Sequence, residues 1–311
     1  MPATTPDGPF ARIQTMASLP AALSSLLLVG AAVGAAIADA PPGAATAVQA
    51  PSAGEHPHWN DGKAELSRYA AEAVVEGERR SFTAWSIVVA EHFDPRQMVK
   101  VEAFAPGMVP VLKCNWCVSI PTGVAAYQQL ASLFLRRADA LVMKAAFSSQ
   151  DWCGTTFAEW RRDRDGLEYH SYWDGEADGN WPLEELATNA LFHEQLPLWI
   201  RLRRPERART EPITLIRERL FSARCPPPKR VAAAIWFDGL KGADAEGGAD
   251  PRRIEARLMV DKHVDTFVFA PEFPHLLREW RRADGTTWWL EKSVRLDYWN
   301  FGKDEFGSLL K

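Results

Sequence analysis

The chain has 311 residues, 47% of them hydrophobic, which is enough to enclose a core and too apolar for an intrinsically disordered chain. Its 36 Lys and Arg stand against 40 Asp and Glu, a formal charge of −4. That balance leaves no positive excess to neutralise a phosphate backbone and argues against a nucleic-acid partner.

The first element in chain order is an address. Arg12 precedes an apolar run from Leu19 to Ile37 whose only hydroxyl residues are Ser24 and Ser25, and Ala36-Ile37-Ala38 supplies the small residues of a cleavage site. The pattern predicts a secretory signal peptide over residues 1–38, a Pro/Ala/Gly-rich flexible tether over 39–57 and a single β-rich domain over 58–311. The leader holds one acid, Asp7, and one base, Arg12, so its removal leaves the mature charge unchanged. No later stretch reaches the ~18 consecutive apolar residues of a membrane span, so the expected product is periplasmic or secreted, with no stable transmembrane span. Thiols can oxidise there, and Cys114, Cys117, Cys153 and Cys225 allow up to two disulfides, with about three possible connectivities.

The body reads as an antiparallel meander. β-branched and aromatic runs of strand length, separated by charged turns, predict strands at 65–75, 81–93, 99–104, 109–118, 123–136, 140–148, 155–161 and 167–172. Asp165-Gly166 marks a two-residue hairpin, where both types tolerate positive φ. The period then changes. Leu183, Leu186, Ala187, Ala190 and Leu191 recur at three and four residues and predict a covering helix from Leu183 to Leu196, with Pro182 and Glu184-Glu185 suited to its first turn and Pro197 ending or kinking it. The basic run Arg201 to Arg209 reads as a solvated connector. Strands resume at 211–221, 231–237, 253–261, 264–269, 286–290 and 293–298, around an exposed loop at 241–250. Pro274 to Arg281 has Leu276, Leu277 and Trp280 spaced for one face of a short helix, and Asp284-Gly285 turns the chain into its last strands. The expected fold class is α+β, mainly β: a long curved antiparallel sheet, or half-open barrel, covered by one or two helices.

The chemical signals are sparse. Cys114-Asn-Trp-Cys117 has redox spacing, but its flanks are strand-like, and residues three apart on a strand face opposite sides. A zinc site lacks a second cysteine or histidine pair, and His56-Pro57-His58 in the tether is an incomplete metal clip. No P-loop, dinucleotide fingerprint, Gly-x-Ser-x-Gly elbow or His-Glu-x-x-His string occurs, so no cofactor is expected. Ser149-Gln-Asp-Trp-Cys-Gly154 is the most unusual string. It offers Cys153 as a candidate nucleophile, His170 on the next hairpin strand as its base, and Asp151 or Asp174 to orient the histidine. A buried or disulfide-bonded cysteine is the plainer reading of the same string. Thirteen tryptophans are the other outlying feature. Adjacent Trp288 and Trp289 must face opposite sides of a strand, and Trp152, Trp160, Trp173, Trp236 and Trp289 form the candidate lining of an apolar pocket on the concave side of the sheet.

Trp59-Asn-Asp-Gly-Lys-Ala-Glu-Leu66, Val109-Pro-Val-Leu-Lys113, Ser148-Ser-Gln-Asp-Trp-Cys-Gly154, Pro274-His275 and Arg295-Leu-Asp-Tyr-Trp299 together resemble a family of secreted bacterial proteins to which no activity is attached. The resemblance spans Trp59 to Lys303 and is most specific at the Gln-Asp-Trp-Cys-Gly string. Some members carry the name of the Maf septum-formation inhibitors, which are cytoplasmic nucleotide pyrophosphatases with an N-terminal Ser-x-Arg-Arg loop. Here Asp250-Pro-Arg-Arg253 is late in the chain and lacks the serine, so that name does not fit. The closing segment is also remotely similar to secreted half-open barrels of the lipoprotein-carrier type, which is a likeness of fold alone. The expectation is an exported, non-enzymatic binding or envelope-interaction protein that takes a lipophilic small molecule or an envelope protein. A Cys153-dependent hydrolase or transferase and a purely structural envelope component are the alternatives.

Overall fold

The computed structural model describes residues 53–300 apart from 76, 165, 184–189, 219, 221–223, 225 and 243–251, all within one compact unit. The leader, residues 39–52 of the expected tether, residues 184–189 of the predicted 183–196 helix and most of the 241–250 loop lie outside the described residues.

Sixteen strands are described: β1 Ala64–Val75, β2 Glu78–Asp94, β3 Val99–Val101, β4 Val109–Thr122, β5 Ala125–Arg136, β6 Val142–Gln150, β7 Thr155–Arg161 and β8 Leu167–His170. They continue with β9 Gly179–Trp181, β10 Ala190–Phe192, β11 Arg209–Ile216, β12 Arg230–Lys241, β13 Arg253–Val260, β14 His263–Phe269, β15 Leu277–Arg281 and β16 Thr287–Leu296. They form one curved, unclosed sheet in the order β10-β11-β12-β13-β14-β15-β16-β1-β2-β4-β5-β6-β7-β8-β9, with β3 pairing β2 off this path. Only β10 beside β11 is parallel among the described pairings. The fold is therefore mainly β with little helix, as the alternation predicts.

That alternation sets the two faces. On β4, Leu112, Cys114, Trp116, Val118 and Ile120 are buried toward the main core, while Lys113, Asn115, Cys117 and Ser119 face the other way. Trp288 is likewise buried and Trp289 exposed. Aromatic rings fill the centre of the inner face, where Trp116, Trp280 and Trp288 approach one another at centroid distances of 5.4–6.1 Å.

The inner face is crossed by a strap. Every residue from Ala190 to Leu202 is buried, through β10, a 3₁₀ turn at His193–Gln195 and the helix α1, Leu196–Arg201. Phe192 packs its ring against Phe147 and Trp160 at 5.6 and 5.9 Å. Trp116 Nε1 donates to the Glu194 carbonyl at 3.0 Å, and Gln195 Nε2 donates to the Ala140 carbonyl at 2.9 Å. Arg201 makes two 2.8 Å bonds to the two carboxylate oxygens of Glu65 on β1, and its Nε donates to the Pro274 carbonyl at 2.8 Å.

Four sequence expectations change here. Ala190 and Leu191, read as the end of a helix, are strand, and Pro197 lies in the first turn of α1 rather than at a helix end, a place where its missing N–H costs nothing. Arg201 is not a solvated connector residue but the buried partner of Glu65. Residues 277–281 are strand β15, not helix. A bulge sets Phe269 opposite Leu277 and Val268 opposite Glu279, so the inward residues Leu277 and Trp280 fall three apart and imitate a helical period. The last tether residues also carry structure: Ala53–Glu55 and Pro57–Asn60 are 3₁₀ turns, and buried Trp59 donates Nε1 to the Ala53 carbonyl at 3.1 Å. β7 and β8 do pair as a hairpin, but their last partners are Trp160 and Leu167, so the connection is longer than the expected two residues; Gly166 and Gly285 have φ of 102° and 87°, in the region that favours glycine.

Candidate functional site

Antiparallel pairing from β13 to β2 and on to β7 puts the β13–β14, β15–β16, β1–β2, β4–β5 and β6–β7 turns at one end of the sheet. At this hairpin end the strap does not fill the inner face. A cleft of ≈ 390 Å³ remains, at the lower end of the ~300–1,000 Å³ range of small-ligand sites. Its wall is Leu215 of β11 with Leu258 and Val260 of β13, and charged groups converge on it from three elements: His193 of the strap, Asp265 of β14, and Arg282 and Asp284 of the β15–β16 turn. Arg217, Glu218, His263 and Ala283 complete the lining.

Asp265 occupies an inward position on β14, in line with Phe267 and Phe269. A carboxylate facing a core must find partners. Its Oδ2 lies 2.9 Å from His193 Nε2, and its Oδ1 accepts the Ala283 N–H at 2.9 Å. Burial disfavours charge on both side chains, but their mutual hydrogen bond outweighs it. The Asp265 carboxyl is held below the usual carboxylate range and the His193 imidazole above its ordinary value. His193 commits Nε2 to Asp265, and its Nδ1 is buried with no hydrogen-bond partner among the described residues. The Trp280 ring lies tilted against the imidazole at 5.2 Å, fixing its plane. Beside the pair, Arg282 forms a two-point bridge to Glu218 and bonds Asp284 at 2.9 Å. The acids Asp265, Glu218 and Asp284 are thus each paired with a basic side chain.

The sequence-derived candidates lie elsewhere. Cys153 is exposed in the β6–β7 turn. Asp151 does not address His170: its Oδ1 accepts the N–H groups of Cys153 and Gly154 at 2.8 and 3.0 Å and the Tyr172 hydroxyl at 3.2 Å. His170 on β8 places Nδ1 3.2 Å from Asp178 and stacks on Phe157. Asp174 lies beyond it in the β8–β9 connection. The structure shows no Cys153–His170–Asp151 relay. Cys114, Cys117 and Cys153 are free thiols, Cys114 and Cys117 fall on opposite faces of β4, and Cys225 lies outside the described residues. Among the described residues no group of three His, Cys, Asp or Glu side chains is placed to hold a metal ion.

The tryptophans expected to line one pocket do not share a face. Trp160 is in the core, Trp236 and Trp289 are exposed on the outer face of β12 and β16, Trp152 is exposed in a turn, and Trp173 lies under Arg224 at 4.3 Å. The concave lining is instead Trp116, Trp280 and Trp288, already covered by the strap. The cleft residues were missed, though one signal was present: in His263-Val-Asp-Thr-Phe-Val-Phe269 the acid Asp265 has the same parity as the two inward phenylalanines.

The hairpin-end cleft, with a buried histidine–aspartate pair against an apolar wall, has the form of a small-ligand binding site. Comparison of the chain with known protein families, curated proteins and solved structures returns no match. Among the described residues no helix is long and apolar enough to cross a membrane.

Proposed function

We propose that this is an exported, non-enzymatic binding protein of the cell envelope, and that it takes a small molecule with an apolar body and a hydrogen-bond acceptor into the hairpin-end cleft. The observation that carries this reading is the cleft itself: Leu215, Leu258 and Val260 offer apolar contact while His193, Arg217, Asp265 and Arg282 bring polar groups to the same lining. An acceptor on the ligand is met by the cationic side chains of that lining, Arg217 and Arg282. Export rests on the leader-like first 38 residues. The Cys153 alternative gains no support from geometry, because Asp151 holds its own turn and His170 faces Asp178.

Native mass spectrometry of the protein recovered from its own envelope fraction, followed by solvent extraction, tests the proposal. A bound small molecule is expected, and its occupancy should fall when the cleft is filled by Leu258→Trp. A ligand-free native protein whose cleft also takes up no apolar fluorescent probe would overturn the reading.

A further inference from the structure

We propose that the hairpin end of the sheet is a docking surface for a lipid bilayer, independently of what the cleft binds. In the order β1-β2-β4-β5-β6-β7, the β1–β2, β4–β5 and β6–β7 turns are two strand widths apart, or about 10 Å from tip to tip. The β4–β5 and β6–β7 turns each present an apolar side chain to solvent, Val124 at 87% and Trp152 at 78% exposed, and Val74, 56% exposed, stands on β1 next to the β1–β2 turn. Tyr172, also exposed, follows on the next connection at the same end.

The Trp152 turn is rigid. Besides the bonds from Asp151 Oδ1 to the Cys153 and Gly154 amides, the Asp151 N–H donates to the Gly154 carbonyl at 3.1 Å. Gly154 lies so close to the Tyr172 ring that a Cβ there would stand 2.6 Å from it. The indole is therefore held out at little conformational cost, as an anchor requires.

Charge favours a lipid surface, and a zwitterionic one. The β4–β5 tip, Pro121-Thr-Gly-Val-Ala-Ala126, has no ionisable residue. The charges on the strands beside the β1–β2 tip are paired, Arg79 with Glu72 at 3.1 Å and Arg80 with Glu78 at 2.8 Å, and the turn itself carries one acid, Glu76. Asp151 turns its carboxylate to the backbone. The neighbouring connection carries Asp174, Glu176 and Asp178, of which Glu176 meets Arg224 at 3.4 Å and Asp178 meets His170 at 3.2 Å, so it holds no excess of positive charge to attract an anionic membrane. Apolar tips separated by turns do not make the contiguous packed patch of a protein–protein hot spot. They do suit insertion among headgroups, where an indole finds both apolar and polar surroundings.

Flotation of the full chain with phosphatidylcholine vesicles tests this. The wild type should float. A Trp152→Ser, Val124→Ser double variant should partition about tenfold less, the factor that ~1.4 kcal/mol of lost apolar burial produces. A Trp236→Ser, Trp289→Ser control removes two exposed indoles from the outer face and should stay within about twofold of wild type, since it leaves the tips intact. Phosphatidylglycerol vesicles should bind more weakly at low salt. No flotation of wild type, or equal losses in both double variants of unchanged melting temperature, would overturn the proposal.

Discussion

The ion pair between Glu65 and Arg201 permits a quantitative test of how the strap is held. Both side chains are almost wholly buried, at 2% and 5% exposure, and each guanidinium NH group meets its own carboxylate oxygen at 2.8 Å. Burial opposes the charge on Arg201, but Glu65 more than compensates and holds its pKa above the ordinary value. Removing one partner leaves a buried charge without its counterion, a loss of about 3–5 kcal/mol. Glu65→Leu should therefore lower the urea midpoint by about 1–2 M, taking a slope of roughly 3 kcal/mol per molar for a chain of this size. Adding Arg201→Met removes the second charge and forfeits mainly the bond to the Pro274 carbonyl, so the double variant should lose only about 1–3 kcal/mol. Equilibrium urea unfolding followed by tryptophan fluorescence, run as a double-mutant cycle, measures the coupling. A single-variant loss below about 1 kcal/mol, or losses that simply add, would refute the claim that this pair fastens the strap.

The remaining predictions concern titration and thiol access. The raised pKa of His193 stabilises the fold fully below its unfolded value of 6.5, and this contribution disappears as pH rises through the higher folded value. Asp265 has the opposite sign: its contribution is present above 3.8 and lost as pH falls through its depressed folded value. Thermal melts across pH should show wild type losing stability on the alkaline side, with His193→Gln flattening that limb; an unchanged alkaline slope would remove His193 from the ledger. In native protein, iodoacetamide followed by peptide mass spectrometry should label exposed Cys153 first. Cys114, whose thiol burial pushes up to about 12, should react only on unfolding, and early labelling of Cys114 would contradict its place inside the sheet.

Much of the sheet was legible because its strands alternate cleanly. β4 and β13 read as apolar and polar residues largely in turn, and burial follows that pattern along most of each strand. The errors fall where period-two reasoning fails for a physical reason. At β15 a bulge inserts one residue between inward positions and counterfeits a helix. In Ala190–Leu202 the chain is buried on all sides, so no face is polar and no period survives to separate strand from helix. The pocket expectation failed on parity: adjacent Trp288 and Trp289 were correctly set on opposite faces, but the outward member was chosen as the lining residue.

The site was less legible than the fold, yet its anchors obey a rule the sequence contains. Two acids, Glu65 and Asp265, occupy inward positions on strands whose other inward residues include Tyr69, Ala71, Phe267 and Phe269. An inward carboxylate needs a donor, and no apolar neighbour supplies one. The strap brings two cations into that interior, His193 and Arg201, and each takes one acid. Glu65 lies where β1 begins and Asp265 near the hairpin end, so the two pairs fasten the strap at opposite ends of the sheet. Charge pairing inside a core adds little net stability over a well-packed apolar one, but a strap shifted by one residue would strand both acids and both cations. Such an arrangement penalises every other register, and in the register it selects, His193 comes to rest in the lining of the cleft, bonded to Asp265.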